Sequence, residues 1–285
     1  MPPSDARRPG IFLNRRHELR NGWWIAAFLA LLAAMLFPSI LLSARFGHAL
    51  TIWEQVALIG IATIAIQAMR RKPLAEVTGP ASLKSLAELG LGMGAGFLMM
   101  AVPAVVLFCA GWVRFEATGL AVEALLPAVL AMAGVAIAEE LLFRGVLFQR
   151  LVAGLGVWPA QAAIGLLFVL THLNNPGMEG ATRVWAGANI FLASVLFGAA
   201  FLRTRSLAAP IGLHFMANLT QGVLLGFGVS GNAEPSLLSP RFLTDAEWLT
   251  GGAFGLEASL PGLVAVVLTL LLLKPSRPSA QSGPA

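Results

Sequence analysis

Charge is what this sequence has least of. Only 12% of its 285 residues are Asp, Glu, Lys or Arg, and 57% are hydrophobic; soluble domains run near 25% and about 45–50%. Those figures exclude a soluble globular protein, and they exclude a disordered chain, which needs low hydrophobicity and high charge. Cysteine is almost absent: Cys109 stands alone in an apolar run, so there is no disulfide framework, no Cys-based metal site and no redox pair. Also missing are an H-E-x-x-H zinc motif, a fixed-period repeat and the matched pair of broken helices expected of an inverted-repeat transporter. The net charge of +5 and pI near 10.6 come from few residues, which suits basic groups flanking membrane spans better than a nucleic-acid partner.

What is present, at a mean hydropathy of +0.79, is a series of long apolar runs. A bilayer core takes roughly 20 apolar residues in helical form, and eight segments qualify, at about 23–44, 50–69, 89–112, 122–149, 157–173, 184–202, 207–227 and 257–273. The expected fold is an all-α polytopic transmembrane bundle with the lipid bilayer as its surroundings. The first segment follows Arg15, Arg16 and Arg20 but is too long for a cleavable signal, so it reads as an anchor. Residues 81–89 (ASLKSLAEL) have the leucine spacing of a short interfacial helix.

Basic residues orient the bundle. With a cytoplasmic N-terminus, the inner side receives Arg7, Arg8, Arg15, Arg16, Arg20, Arg70, Arg71, Lys72, Lys84, Arg150, Arg203, Arg205, Lys274 and Arg277. The outer side receives Arg45, Arg114, Arg183 and Arg241. Fourteen against four places both termini in the cytoplasm. Trp23, Trp24, Trp53, Trp112, Trp158 and Trp185 fall near span ends, as an interfacial belt requires. The expected organisation is a cytoplasmic tail at 1–22, one transmembrane domain at 23–273 with its core at about 120–230, and a second cytoplasmic tail at 274–285. The loop at 228–256 is the one large piece outside the bilayer. Gly90, Gly92, Gly94 and Gly96 give the third span small residues at i, i+4, a packing surface rather than a substrate groove.

A charge at a helix centre costs on the order of 2.5–3.5 kcal/mol on insertion scales, so each intramembrane polar residue needs a reason. Glu54 and Glu123 sit near span ends and can reach headgroups. Gln67, Gln161 and Asn189 read as interhelical hydrogen-bonding groups. The fourth span is different: AIAEELLFRG carries Glu139, Glu140 and Arg144 far from either end. Glu140 and Arg144 are i, i+4 neighbours in the favourable order. A buried structural ion pair accounts for those two but leaves Glu139 without a local partner, which is costly unless it lines a wet cavity or meets a group from another helix. Candidate groups are His172, which closes the fifth span with Phe168 one turn earlier, and His214 in the seventh, with Asn218 one turn later. Counting rise from the inner ends puts Glu139 roughly 15 Å deep, His172 about 22 Å and His214 about 10 Å. All lie within the bilayer but not at one level, a gap that helix tilt could close.

Glu139-Glu140-x-x-x-Arg144, Phe168-x-x-x-His172 and His214-x-x-x-Asn218, in this order on separate spans, resemble the CPBP family of CAAX prenyl endopeptidase-type and bacteriocin-processing intramembrane proteases. The resemblance covers about 120–230 and implies an active site among spans 4, 5 and 7. It implies peptide-bond hydrolysis in which Glu139 activates water, with Glu140 held by Arg144. His172 would hold or polarise the water, and His214 and Asn218 would hydrogen-bond the oxyanion, a role such donors can fill. Phe168 reads as packing support. Two His plus a Glu is a common zinc set, so a zinc ion on His172 and His214 and a metal-free water both stay open. The expected partner is a peptide or protein at the membrane: a lipidated CAAX-like tail, a leader peptide or a membrane-protein segment. THLNNPG and PIGLHFMANLTQG look closest to bacterial members, which points to a bacterial inner membrane. The other reading is a non-catalytic immunity or scaffold protein, or a small transporter, with a buried polar network.

Overall fold

A computed structural model of the protein describes residues 10–14 and 17–273. Every apolar segment is helical in it: α1 (Asn21–Arg45), α2 (Ile52–Met69), α4 (Leu83–Cys109), α5 (Leu126–Glu140) running on into α6 (Phe148–Leu155), α7 (Val157–His172), α8 (Gly180–Thr204), α9 (Ala208–Asn218) and α11 (Leu260–Leu272). Short helices α3 (Ala75–Thr78) and α10 (Glu247–Thr250) lie in the connections. Among the described residues five stretches are long and apolar enough to cross a membrane: Asn21–Arg45, Ile52–Met69, Ala75–Cys109, Val122–Leu155 and Gly180–Thr204. The helices at Val157–His172 and Leu260–Leu272 are apolar but shorter.

Local chemistry sets the ends. Thr51 and Glu54 form a reciprocal capping box at the start of α2, so Glu54 satisfies backbone donors instead of reaching for headgroups. Ser82 accepts from the Ser85 N–H at 3.2 Å and starts α4 at Leu83. The 81–89 segment is therefore the first turns of a transmembrane helix, not a separate interfacial one. The tail at 274–285 and residues 1–9 lie outside the described residues. Within the expected 1–22 tail, Trp23 Nε1 donates to the Ile11 carbonyl at 3.1 Å and Phe12 stacks on Trp23.

Of the glycine stripe, Gly92 and Gly96 are the packing positions. A Cβ on Gly92 would press into the Ala209 carbonyl, and one on Gly96 into the Leu213 carbonyl, whereas Gly90 and Gly94 face open space. From the other side Gly212 meets the Leu89 carbonyl. Backbone-to-backbone approach of this kind replaces the hydrophobic driving force that lipid cannot supply, and it fixes α9, which carries His214, against α4.

The connections gather into two ends. At one, Glu76 accepts from Arg70 at 2.9 Å and from Arg150 at 3.1 Å. There too Gln149 donates to the Val77 carbonyl and Leu207 N–H to the Thr78 carbonyl. At the other, β1 (Val113–Ala117) pairs antiparallel with β2 (Leu238–Phe242), and Asn175 Nδ2 donates to the Ser230 carbonyl at 3.0 Å. The small sheet is an addition to a bundle that is otherwise helical, as expected. Its two strands are connection segments whose backbone groups need partners, and Phe115 anchors them by an edge contact to Phe227.

Candidate active site

The α-helix of the fourth span stops at Glu140. Leu141–Leu147 is π-helical, and Gly145 departs from helical geometry at ψ −123°. A second π-helical stretch, Leu219–Leu224, follows Asn218 directly. Such widened turns are rare and frequent at functional sites. Glu139 and His214 nevertheless meet, with His214 Nε2 3.8 Å from Glu139 Oε2, despite the difference in depth that a uniform rise predicts.

Below the site is a dry layer. Glu140 and Arg144 are wholly buried, with Arg144 Nη1 donating to Glu140 Oε1 at 3.2 Å, the pair that their spacing predicts. Arg144 Nη2 also donates to the Ser194 carbonyl at 2.9 Å and to Ser194 Oγ at 2.7 Å. Its guanidinium lies 5.1 Å from the ring centres of both Phe168 and Phe197, where ring quadrupoles attract a cation. Phe168 thus supports the charged layer as well as its own helix.

His214 connects that layer to the cavity. Its Nδ1 is 3.0 Å from Glu140 Oε1, its Nε2 is 3.8 Å from Glu139 Oε2, and Phe197 stacks on its ring at 4.8 Å and 12°. Glu139 therefore has a cross-helix partner. The two carboxylates differ in access: the Glu139 side chain is 26% exposed and that of Glu140 is 0%. Glu139, Phe168, His172, His214 and Asn218 line one cavity of about 320 Å³. His172 Nδ1 lies 2.7 Å from the Phe168 carbonyl. A carbonyl can only accept, so Nδ1 carries the proton and Nε2 is the free, accepting nitrogen of the neutral ring. Glu139, Glu140, Arg144, Phe168, His172, His214 and Asn218 thus all fall in the cavity wall or the layer beneath it.

Others escaped notice. Asn189, expected to bond between helices, lines the cavity with its buried Nδ2 unpartnered, whereas Gln161 does bond across to the Val195 carbonyl. Gln67 bonds locally, to the Pro73 carbonyl and Glu76. Ser194 and Phe197, on α8, gave no sequence signal beyond one polar residue in an apolar span. Glu257, whose Oε2 accepts from Ser230 N–H at 3.0 Å and Oγ at 2.6 Å, also reaches the cavity. The 228–256 loop, expected to be peripheral, folds back to bring Ser230, Asn232 and Glu234 there too.

The open question for a zinc ion is a third ligand, because His172 and His214 engage only Nδ1 and a histidine so held can still bind metal through Nε2. Among the described residues no three His, Cys, Asp or Glu side chains come together as a metal set. The Nδ1 atoms of His172 and His214 are engaged by the Phe168 carbonyl and by Glu140. No step below passes through a metal.

Apolar helices long enough to cross a bilayer, with Glu139 and two histidines lining one cavity, define the class as an integral membrane protein with the equipment of a hydrolase. Residues 121–220 match the family described as type II CAAX prenyl endopeptidase Rce1-like. The match makes that segment similar to this protease family, and Glu139, Glu140, Arg144, Phe168, His172, His214 and Asn218 all fall within it. No curated protein matches the chain.

Proposed function

We propose that the protein is an intramembrane endopeptidase in which Glu139 is the general base. The observation that carries this is the contrast within one dipeptide: Glu139 is open to the cavity, while Glu140 is sealed against Arg144 and His214. A water hydrogen-bonded to the free Nε2 of His172 gives its proton to Glu139 as its oxygen attacks the scissile carbonyl carbon. The oxyanion so formed takes hydrogen bonds from the Asn218 amide and from Nε2–H of His214 in its doubly protonated form, with the buried Asn189 amide as a further donor. Collapse breaks the C–N bond, and Glu139 returns the proton to the leaving amine nitrogen. Glu140 acts through His214, accepting from Nδ1 and fixing the ring.

The substrate of this reading is a membrane-associated peptide: a leader, a membrane-protein segment or a lipidated CAAX-like tail. The setting is a bacterial inner membrane with both termini cytoplasmic. The test is proteolysis by purified, detergent-solubilised protein on lipidated and leader-type peptides, wild type beside Glu139→Ala, with and without a strong chelator. Cleavage that disappears in the variant and persists with chelator supports this reading. Equal inactivity of two folded proteins on every peptide favours the scaffold alternative.

A further inference from the structure

Resting on the protease reading, we infer that the cavity takes its substrate from the extracytoplasmic face, and that the substrate is an internal, membrane-adjacent segment rather than a cytoplasmic tail ending in a free carboxylate.

The two ends of the bundle carry the argument. The end where Glu76 joins Arg70 and Arg150 is continuous in sequence with Arg71 and Lys72, and the Leu207 N–H to Thr78 carbonyl bond brings Arg203 and Arg205 to it. It is also the end where α1 starts, since Gly154 lies against Asn21. Among the described residues it holds eight basic loop residues, Arg20, Arg70, Arg71, Lys72, Lys84, Arg150, Arg203 and Arg205, against four at the other end, and the excess of Lys and Arg marks the cytoplasmic side. The opposite end is built from β1, β2 and the 173–179 and 225–259 connections, tied together by Asn175 to Ser230 and by Gly231 N–H to the Phe254 carbonyl.

The cavity belongs to that second end. Asn175, Ser230, Asn232, Glu234 and Glu257 form its wall beyond the helices. On the cytoplasmic side it is floored by the dry Glu140–Arg144–Ser194 layer, in which Arg144 is wholly buried. No residue of the basic end lines it. Its charged groups besides histidine are the carboxylates Glu139, Glu234 and Glu257, and among the described residues no Lys or Arg lines it. A substrate cut a few residues from its C-terminus would bring a carboxylate into this acidic chamber with no cation to receive it, whereas the interior of a chain brings no such charge.

Facing is tested independently of activity. In a Cys109→Ser background, Asn232→Cys at the cavity mouth, Arg241→Cys on β2 and Lys72→Cys at the basic end are exposed to a membrane-impermeant maleimide. The reagent is added to intact spheroplasts or to inside-out vesicles. Asn232→Cys and Arg241→Cys should label in spheroplasts and lose labelling in vesicles, with Lys72→Cys the reverse. Labelling of the first two only in vesicles overturns the inference, and Arg241→Cys gives the answer should Asn232→Cys fail to fold. The substrate half uses a single-pass reporter with a randomised juxtamembrane segment displayed on either face, in cells carrying wild type or Glu139→Gln. Glu139-dependent cleavage of the outward display alone supports the inference; cleavage of the inward display, or only of segments ending in a free carboxylate, overturns it. Outward labelling with no cleavage of either display rejects the protease reading and leaves the facing established.

Discussion

Glu139 and Glu140 are neighbours in the chain, yet they belong to two different regions. One step along α5 turns a side chain by about 100°, and that rotation carries it from an open cavity into a layer sealed by Arg144, Ser194, Phe168 and Phe197. The layer is chemically rich but has no access for water. The cavity has access and free donors, among them the unpartnered Asn189 amide. The two regions meet at His214, which touches both carboxylates. In the proposed mechanism identical side chains are thus divided by packing into one that positions and one that reacts.

The comparison breaks most severely at Arg144. Arg144→Met leaves Glu140 buried without its cation and should cost about 3–5 kcal/mol, read as a large fall in melting temperature in detergent. Adding Glu140→Gln to that variant should recover much of the loss, because a neutral pair of similar volume carries no uncompensated charge. On the cavity side the expected effect is on rate and not on stability. Asn218→Ala should lower the cleavage rate by about 10²–10³-fold while leaving the melting temperature nearly unchanged. Next comes the helix contact that holds His214 in place. Gly96→Val drives a side chain into the Leu213 carbonyl and should cost about 1–3 kcal/mol; Gly94→Val, facing open space, is the control and should be close to neutral.

The smallest effect lies at the cavity mouth, where burial pushes the Glu234 carboxyl above its ordinary range. A carboxyl whose folded value is raised contributes stability below its unfolded pKa and loses it as pH rises through the folded value. Glu234→Gln should therefore match wild type in acid and melt slightly higher above that transition, a gap that melting curves across pH will show.

Much of this was legible in the sequence because intramembrane charge is so costly that each instance signals itself. The eight apolar segments, the Glu140–Arg144 pair and the two histidines all follow from composition and helical spacing. Residues 121–220, where the family matches, contain every residue so found. What was not legible depends on backbone geometry or on contacts distant in sequence. The π-helical stretches after Glu140 and Asn218 leave no mark in composition, yet they interrupt both helices directly after residues of the site. Ser194 and Phe197 look like ordinary span residues until Arg144 is laid against them. Glu257 follows a loop rich in Gly and Pro, and only the return of that loop over the cavity gives it a place there. The strand Val113–Ala117 does alternate apolar and charged residues, a period-two pattern obscured by the long apolar runs around it.

The most direct test of the division between the two carboxylates is to measure cleavage rate and melting temperature together for Glu139→Gln and Glu140→Gln. The account predicts that Glu139→Gln melts like wild type and loses about 10²–10⁴-fold in rate, whereas Glu140→Gln shifts the melting temperature and keeps measurable cleavage. Wild-type cleavage by folded Glu139→Gln would contradict it.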